Sequence, residues 1–170
     1  ECKYLKTVVI GDNAKLGMGA FMLSRGENSE LVLDTEASFK LYYYKYSSAL
    51  VSLTIGNNVE IGDSAFMGAA NLETVVMGTG VSLGNQAFYN AVSLKNIDLS
   101  KVVSIGNQAF GGDILYTYTD ANANVTALDK DGYYIYRYYS APLTSVDLSS
   151  LKYLGTSAFE NCFELTTVKL

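Results

Sequence analysis

Histidine does not occur anywhere in the 170 residues, which removes the commonest general base and metal ligand. No Gly-x-Ser-x-Gly nucleophile elbow, phosphate-cradling glycine loop or paired-cysteine metal motif is present either. Catalysis and a resident cofactor are therefore not expected. Positive charge is scarce: the net charge is −5 and no basic cluster stands out, so nucleic acid is not an expected partner. No apolar run approaches the roughly 20 residues that a membrane-crossing helix needs, so no membrane insertion is expected within this stretch. A starting Met and a signal-peptide pattern are also missing. Glu1-Cys2-Lys3-Tyr4-Leu5 enters a repeat near its end, and polar capping repeats are lacking, as in a piece of a longer protein. Cysteine occurs twice, at Cys2 and Cys162, each three residues before a repeated Leu. Ala69 and Ala91 hold the same slot, which marks it as a place for a small apolar side chain. The two thiols lie at opposite ends of the repeat array, beyond the Cα separation of about 7 Å that a disulfide tolerates.

What the chain has in abundance is one register, repeated. Leu-x-x-[Val/Ile/Leu]-x-[Leu/Ile/Met] opens at Leu5, Leu50, Leu72, Leu94 and Leu143. Eleven residues on stand Leu16, Ile61, Leu83, Ile105 and Leu154, each followed by glycine: Gly17, Gly62, Gly84, Gly106 and Gly155. Ala-Phe then closes every copy, at Ala20-Phe21, Ala65-Phe66, Ala87-Phe88, Ala109-Phe110 and Ala158-Phe159. A sixth copy opens at Leu165. Fixed spacing of this kind predicts a solenoid whose coils bury their apolar faces only against their neighbours. The whole chain, 1–170, reads as one such domain.

Each coil is expected to begin with a short strand. In Leu94 to Leu99, alternation turns Ile97 and Leu99 inward and Asn96 and Asp98 outward. The stretch around Ile105-Gly106 should return along the opposite side, and Asn107-Gln108-Ala109-Phe110 fits one helical turn. Six strands at about 4.8 Å spacing make a parallel sheet roughly 25 Å long. The ordinary joint from Ala to the next Leu is seven residues, but it swells twice, by 23 and 27 residues. These insertions, approximately residues 27–49 and 113–141, fall at the same joint and so leave from one edge. Leu31 to Asp34, a turn at Thr35 to Ser38, and Phe39 to Tyr46 read as a β-hairpin. Val125 to Asp129, the Lys130-Asp131-Gly132 turn, and Tyr133 to Tyr139 read the same way. A decayed repeat is the alternative for the first insertion, whose 23 residues approach one repeat of 22. The expected class is α/β and strand-rich: a right-handed leucine-rich-repeat solenoid with a parallel sheet on one face and two inserted β-hairpins on one edge.

The Ile-Gly-x-x-Ala-Phe signature, as in Ile105 to Phe110, together with Cys-x-x-Leu at Cys162 to Leu165, resembles the BspA-type leucine-rich repeat. The resemblance covers everything except the two insertions. It implies a curved, β-rich solenoid, extracellular or cell-surface placement, and adhesion to host proteins or to other cells. That family occurs in large surface proteins of host-associated bacteria and some protozoa. It often carries proline after the strand, where this chain has Gly11, Gly56, Gly78, Ser100 or Ser149. The departure bears on the local turn.

Four features are candidates for function. Asp120, Asn122 and Asn124 place oxygen ligands at alternate positions, and Asp131 falls at the twelfth residue of an EF-hand count. Val125 stands where that loop needs glycine and Asp131 replaces its usual Glu, so an ordinary polar loop is the competing reading. Asp98 and Asp147 should be neighbours on consecutive strands, a like-charge pair that solvent and nearby Lys169 would screen. The outward face of the sheet carries small side chains (Thr7/Val9, Ser52/Thr54, Thr74/Val76, Asn96/Asp98, Ser145/Asp147 and Thr167/Lys169) and no aromatic anchor. Eleven of the fourteen tyrosines lie in or beside the insertions, and they carry the strongest functional signal. Alternation groups Tyr42, Tyr44 and Tyr46 on one face of the first hairpin and Tyr134, Tyr136 and Tyr138 on the matching face of the second. Hairpin roots three coils apart are separated by roughly 15 Å. Such stripes suit contact with a host or cell-surface protein or glycan, or they pack on the solenoid, since a lone hairpin is marginal in water. A passive spacer in a surface protein is the second functional reading. The oligomeric state stays open.

Overall fold

The structure, a computed structural model, describes residues 4–22, 30–34, 41–45, 49–112, 114–115, 137–138 and 140–170. The first coil contributes β1 (Thr7–Ile10), and the first insertion contributes β2 (Glu30–Asp34) and β3 (Leu41–Lys45). The second coil holds β4 (Ser52–Ile55) and β5 (Glu60–Ile61); the third, β6 (Thr74–Met77) and β7 (Val81–Leu83). The fourth coil holds β8 (Asn96–Ile97) and β9 (Val102–Ile105), and the second insertion follows with β10 (Ile114–Leu115) and β11 (Arg137–Tyr138). The fifth coil has β12 (Ser145–Asp147) and β13 (Tyr153–Leu154), and β14 (Thr167–Lys169) opens the sixth.

Two parallel sheets face each other across one core. The first runs β1-β4-β6-β8, and β12 pairs with β14 as a further parallel pair of the same coil position. The second runs β5-β7-β9-β13 and is extended to the first coil by a bridge between Lys15 and Glu60. The return segment of each coil is thus a sheet in its own right. Strand alternation buries Val8, Ile10, Leu53, Ile55, Val75, Met77 and Ile97 from one side, and Ile61, Val81, Leu83, Val102 and Ile105 from the other. Between them runs a column of phenylalanines. Successive ring centroids from Phe21 through Phe66, Phe88 and Phe110 to Phe159 are 5.2, 5.5, 5.5 and 5.4 Å apart, with planes within 9° of parallel.

The helical turn expected before each Ala-Phe is not there; among the described residues there is no helix. The residue preceding Ala is left-handed in every copy: Gly19 (φ 64°), Ser64 (54°), Gln86 (54°), Gln108 (51°) and Ser157 (53°). The reason lies in where the amides point. A helical turn would spend them within its own coil. Here Gly19, Ser64, Gln86 and Gln108 N–H donate to the carbonyls of Asp63, Asn85, Asn107 and Thr156 one coil on, at 2.7–3.0 Å. Two residues later the Phe N–H groups donate likewise, Phe66 to the Ala87 carbonyl and Phe110 to that of Ala158. Each αL residue other than Gly costs about 1–2 kcal/mol, and two inter-coil hydrogen bonds of about 1 kcal/mol each offset it.

The insertions do not interrupt this stacking. β1 pairs directly with β4, from Thr7 opposite Ser52 to Ile10 opposite Ile55, so the first insertion is no intervening coil. The decayed-repeat alternative fails on that pairing. Phe110 stacks on Phe159 across the second insertion in the same way. Within the first, β2 and β3 pair antiparallel, with Leu33 opposite Tyr42 and Leu31 opposite Tyr44. Within the second, β10 pairs antiparallel with β11, Ile114 opposite Tyr138 and Leu115 opposite Arg137. The strand expected at Val125 to Asp129 and its Lys130-Asp131-Gly132 turn lie outside the described residues, as do Phe39, Lys40 and the turn at Thr35 to Ser38.

Close backbone approach explains the repeated glycine. A Cβ on Gly106 would sit 2.4 Å from the Gly84 carbonyl carbon, whereas a Cβ on Gly11 would meet nothing within 4 Å. Gly106→Ala is therefore expected to cost on the order of 3 kcal/mol in chemical denaturation. Gly11→Ala should stay within about 0.5 kcal/mol of wild type. Equal effects at the two sites would show that the coils are not in backbone contact.

Candidate binding surface

The outward face of the first sheet is as bland as its sequence. Val9 and Val76 are exposed, flanked by Thr7 and Thr74, and its only charges sit at the end near β12 and β14. There Asp147 is close enough to disfavour ionisation of Asp98, yet the Asp98 carboxyl is held below the ordinary value. The main cause is Ser100, whose hydroxyl and backbone N–H both donate to Asp98 Oδ1, at 2.6 and 2.9 Å. Asp147 repeats the arrangement with Ser149 at 2.6 and 3.0 Å and adds the Lys169 ammonium at 2.7 Å on Oδ2. Lys169 first, then Ser149, lowers Asp147 to about 2. These serines stand where the resembled repeat carries proline: the Asp-x-Ser bond pair closes the turn in its place. Asp147 is thus bonded through both carboxylate oxygens and Asp98 through Oδ1.

A second polar feature was missed at the sequence level. Asp63 Oδ1 accepts the Asn85 N–H, Asn85 Oδ1 accepts the Asn107 N–H, and Asn107 Oδ1 accepts the Thr156 N–H, at 2.8, 2.9 and 2.7 Å. A parallel column links Asp12 to the Asn57 N–H and Asn57 to the Thr79 N–H. Asp63, Asn85 and Asn107 follow one another at the repeat spacing of 22, which is the signal that would have revealed them. They serve the stack, since in each of them Oδ1 accepts from the next coil's backbone.

The insertion joint gathers the remaining candidates. Tyr42 and Tyr44 lie on β3 and Tyr138 on β11. Tyr46, Tyr134 and Tyr136 lie outside the described residues, and so do Asp120, Asn122, Asn124 and Asp131 of the calcium-like stretch. Among the described residues, no group of three or more Cys, Asp or Glu side chains is placed to hold a metal ion. The joint itself is well fastened. Ser140 Oγ donates to the Asn161 carbonyl, Asn161 Nδ2 donates to the Gly112 carbonyl at 2.9 Å, and the Ala141 N–H donates to the Phe110 carbonyl. Cys162 fills the small slot beside them, buried, with Sγ donating to the Phe110 carbonyl at 3.3 Å. Burial pushes its thiol up to about 11, so it is a packing group with little thiolate at neutral pH. Cys2 lies outside the described residues.

Left-handed turns, a phenylalanine column and two facing parallel sheets thus recur at the spacing of the Ile-Gly-x-x-Ala-Phe signature. Six copies of the family model for the BspA type leucine rich repeat region match the chain, over residues 1–83 and 37–166. The chain belongs to the BspA-type leucine-rich repeat family. Searches of curated proteins and of solved structures find no match. BspA-type repeats are modules of a typically non-catalytic, generally surface-associated family. No helix among the described residues is long and apolar enough to cross a membrane.

The Asp147 cluster yields a signed pH dependence. Because folding lowers this carboxyl, its contribution is fully present above the unfolded value near 3.9 and is lost as the pH falls toward about 2. Carboxyl NMR titration should find Asp147 near 2 in the wild type and moved up toward the ordinary value in Lys169→Met. An ordinary titration in both proteins would mean that the ion pair does not persist in solution.

Proposed function

We propose that this chain is a non-catalytic cell-surface binding module whose insertion edge contacts a protein or glycan partner. One observation carries the reading. Both long insertions leave at the same joint while the coils on either side remain in uninterrupted register, with Phe21 on Phe66 at 5.2 Å and Phe110 on Phe159 at 5.4 Å. A rigid scaffold that displays extra, aromatic-rich strands from one flank is suited to contact, because tyrosine offers amphipathic area at low entropic cost. The outward sheet face supports the same choice by default: small side chains and self-satisfied carboxylates leave it without an anchor. The contact residues in this reading are Tyr42, Tyr44 and Tyr46 with Tyr134, Tyr136 and Tyr138. The second reading, a passive spacer in a larger surface protein, draws on the unbroken ladder of the stack, which needs no partner to be complete.

A glycan array and an array of extracellular-matrix proteins, probed with the purified chain, separate the two. Binding by the wild type should be abolished in a Tyr42, Tyr44, Tyr134 and Tyr136 to Ser variant whose melting temperature stays within about 3 °C of the parent. A variant with both joints shortened to the ordinary seven residues should likewise fold and fail to bind. Retained binding by the shortened variant would move the site off the insertion edge. A large loss of melting temperature in the Tyr variant would assign those side chains to packing, and a blank array with the wild type would favour the spacer.

A further inference from the structure

We propose that the boundary between the fourth and fifth coils is a hinge, parted on its strand side by the like-charged pair Asp98 and Asp147 and fastened on its other sides. Pairing in the first sheet follows the charge at one outward slot, held in turn by Val9, Thr54, Val76, Asp98, Asp147 and Lys169. Where that slot is uncharged on both strands, pairing runs the whole strand: β1 with β4, from Thr7 opposite Ser52 to Ile10 opposite Ile55, and β4 with β6, from Ser52 opposite Thr74 to Ile55 opposite Met77. Between β6 and β8 it stops at Val75 opposite Ile97, one residue short of Asp98. Where the slot holds Asp98 on one coil and Asp147 on the next, β8 and β12 do not pair at all. Pairing resumes between β12 and β14 and runs through the slot itself, with Asp147 opposite Lys169 and bonded to its Nζ at 2.7 Å.

Neither the insertion nor the turn accounts for the break. The first insertion leaves at the same joint, yet β1 and β4 pair over their full length across it. The fifth coil has the same Asp-x-Ser turn as the fourth, yet β12 pairs through Asp147. Two like charges on facing strands set this boundary apart, and such a pair opposes strand association. The missing bonds can be named. At three other boundaries the Ser52, Thr74 and Thr167 N–H groups donate to the carbonyls of Lys6, Val51 and Thr144, at 3.2–3.3 Å. The same rule would join the Ser145 N–H to the Lys95 carbonyl and the Asp147 N–H to that of Ile97; neither bond forms. The other sides of the coil remain joined. Lys152 and Gly155 N–H donate to the Val103 and Ile105 carbonyls at 2.9 and 2.7 Å, and Gln108 and Phe110 N–H donate to those of Thr156 and Ala158. Ile97, Leu99, Val146 and Leu148 stay buried beneath the break, which is therefore a seam in the sheet and not an open groove. Coils one to four form one block and the fifth coil with β14 another, and the two turn about their fastened sides. The second insertion is rooted on a fastened side, where Asn161 Nδ2 ties the Gly112 carbonyl, so the strand side is free to part without displacing that root.

Amide hydrogen exchange followed by NMR on the intact chain, corrected for intrinsic rates, tests the hinge. In the wild type, Ser145 and Asp147 should exchange about a hundredfold or more faster than Thr74 and Val76, which hold the same positions two coils earlier. Lys152 and Gly155, on the fastened side, should exchange as slowly as Thr74 and Val76. Asp98→Thr, which gives the slot the side chain it has at Thr54, and Asp98→Lys, which gives it the opposite charge, should each slow Ser145 and Asp147 by about tenfold or more. Both variants alter an exposed position and are checked for fold by circular dichroism. Wild-type Ser145 and Asp147 amides as slow as those of Thr74 and Val76 would overturn the hinge, and so would unchanged exchange in the two variants. Lys152 and Gly155 exchanging as fast as Ser145 would mean that the coils part on every side, which overturns it equally.

Discussion

Everything in this molecule depends on backbone amides that point along the stack axis and not within their own coil. A single left-handed residue before each Ala-Phe turns the chain so that its N–H reaches a carbonyl of the next coil. The strands on two sides do the same through parallel pairing. The coils are thereby held at the rise of a sheet, about 4.8 Å. That spacing then dictates the side chains. Glycine is needed where one backbone crosses another, as at Gly106. Ala fits where the coil is narrowest, and Phe fills the middle, since nearly parallel rings 5.2–5.5 Å apart are displaced stacks, each worth about 0.5–1.5 kcal/mol beyond area burial.

The same constraint explains why insertions occur only at one joint. Around most of the perimeter each residue either bonds to a neighbouring coil or fills the core, and an extra residue would shift the register of every later contact. After Phe21 and Phe110 have donated to the next coil, the joint is fastened at points near its two ends, and extra residues enter between those points. Such points are the Asn161 Nδ2 bond to the Gly112 carbonyl and the Ala141 N–H bond to the Phe110 carbonyl. Lengthening that joint from seven residues to about thirty costs only closure entropy, on the order of 1–2 kcal/mol. The insertion edge is thus the place where sequence is free to vary at little cost in stability. Under the proposed function, that freedom suits the edge to carry specificity.

How much of this could be read from the sequence follows the same physics. Coil boundaries, inward and outward positions and the continuity of the stack past both insertions are local pattern plus spacing, and all were legible. The left-handed turn was not, because Asn107-Gln108-Ala109-Phe110 has ordinary helical residues. The one hint was glycine at Gly19 in the slot that Ser64, Gln86, Gln108 and Ser157 fill elsewhere. The Asp63, Asn85 and Asn107 ladder was visible in spacing but not in meaning, since any of the three alone reads as a loop residue. The Ile114–Leu115 pairing with Arg137–Tyr138 was hidden for another reason. Its partners stand more than twenty residues apart, and the nearer candidate strand at Val125 to Asp129 carries the stronger local pattern. Among the candidate site residues, strand placement at Tyr42, Tyr44 and Tyr138 was legible from composition. What their rings touch depends on tertiary docking, which alternation does not encode.

The axial amides also give the stack a direction. At the left-handed turn and at Phe, each coil donates to the coil that follows it and accepts from the one before. The side-chain ladder runs in the contrary sense: Asp12 and Asp63 accept from amides one coil further along. The slot before Asp63 in the first coil is Met18, which offers no hydrogen-bonding side chain, so a full carboxylate can sit at 63 without losing an amide donor to the ladder. Within the ladder the residues are Asn57, Asn85 and Asn107, which accept through Oδ1; Asn57 and Asn85 also donate through Nδ2, Asn85 to Asp63 Oδ2 at 3.1 Å. Asp at position 57 or 85 would place two carboxylates in contact, with Asp12 or Asp63, a like-charge neighbour that destabilises a ladder. The choice between Asp and Asn thus follows from what the coil before it supplies.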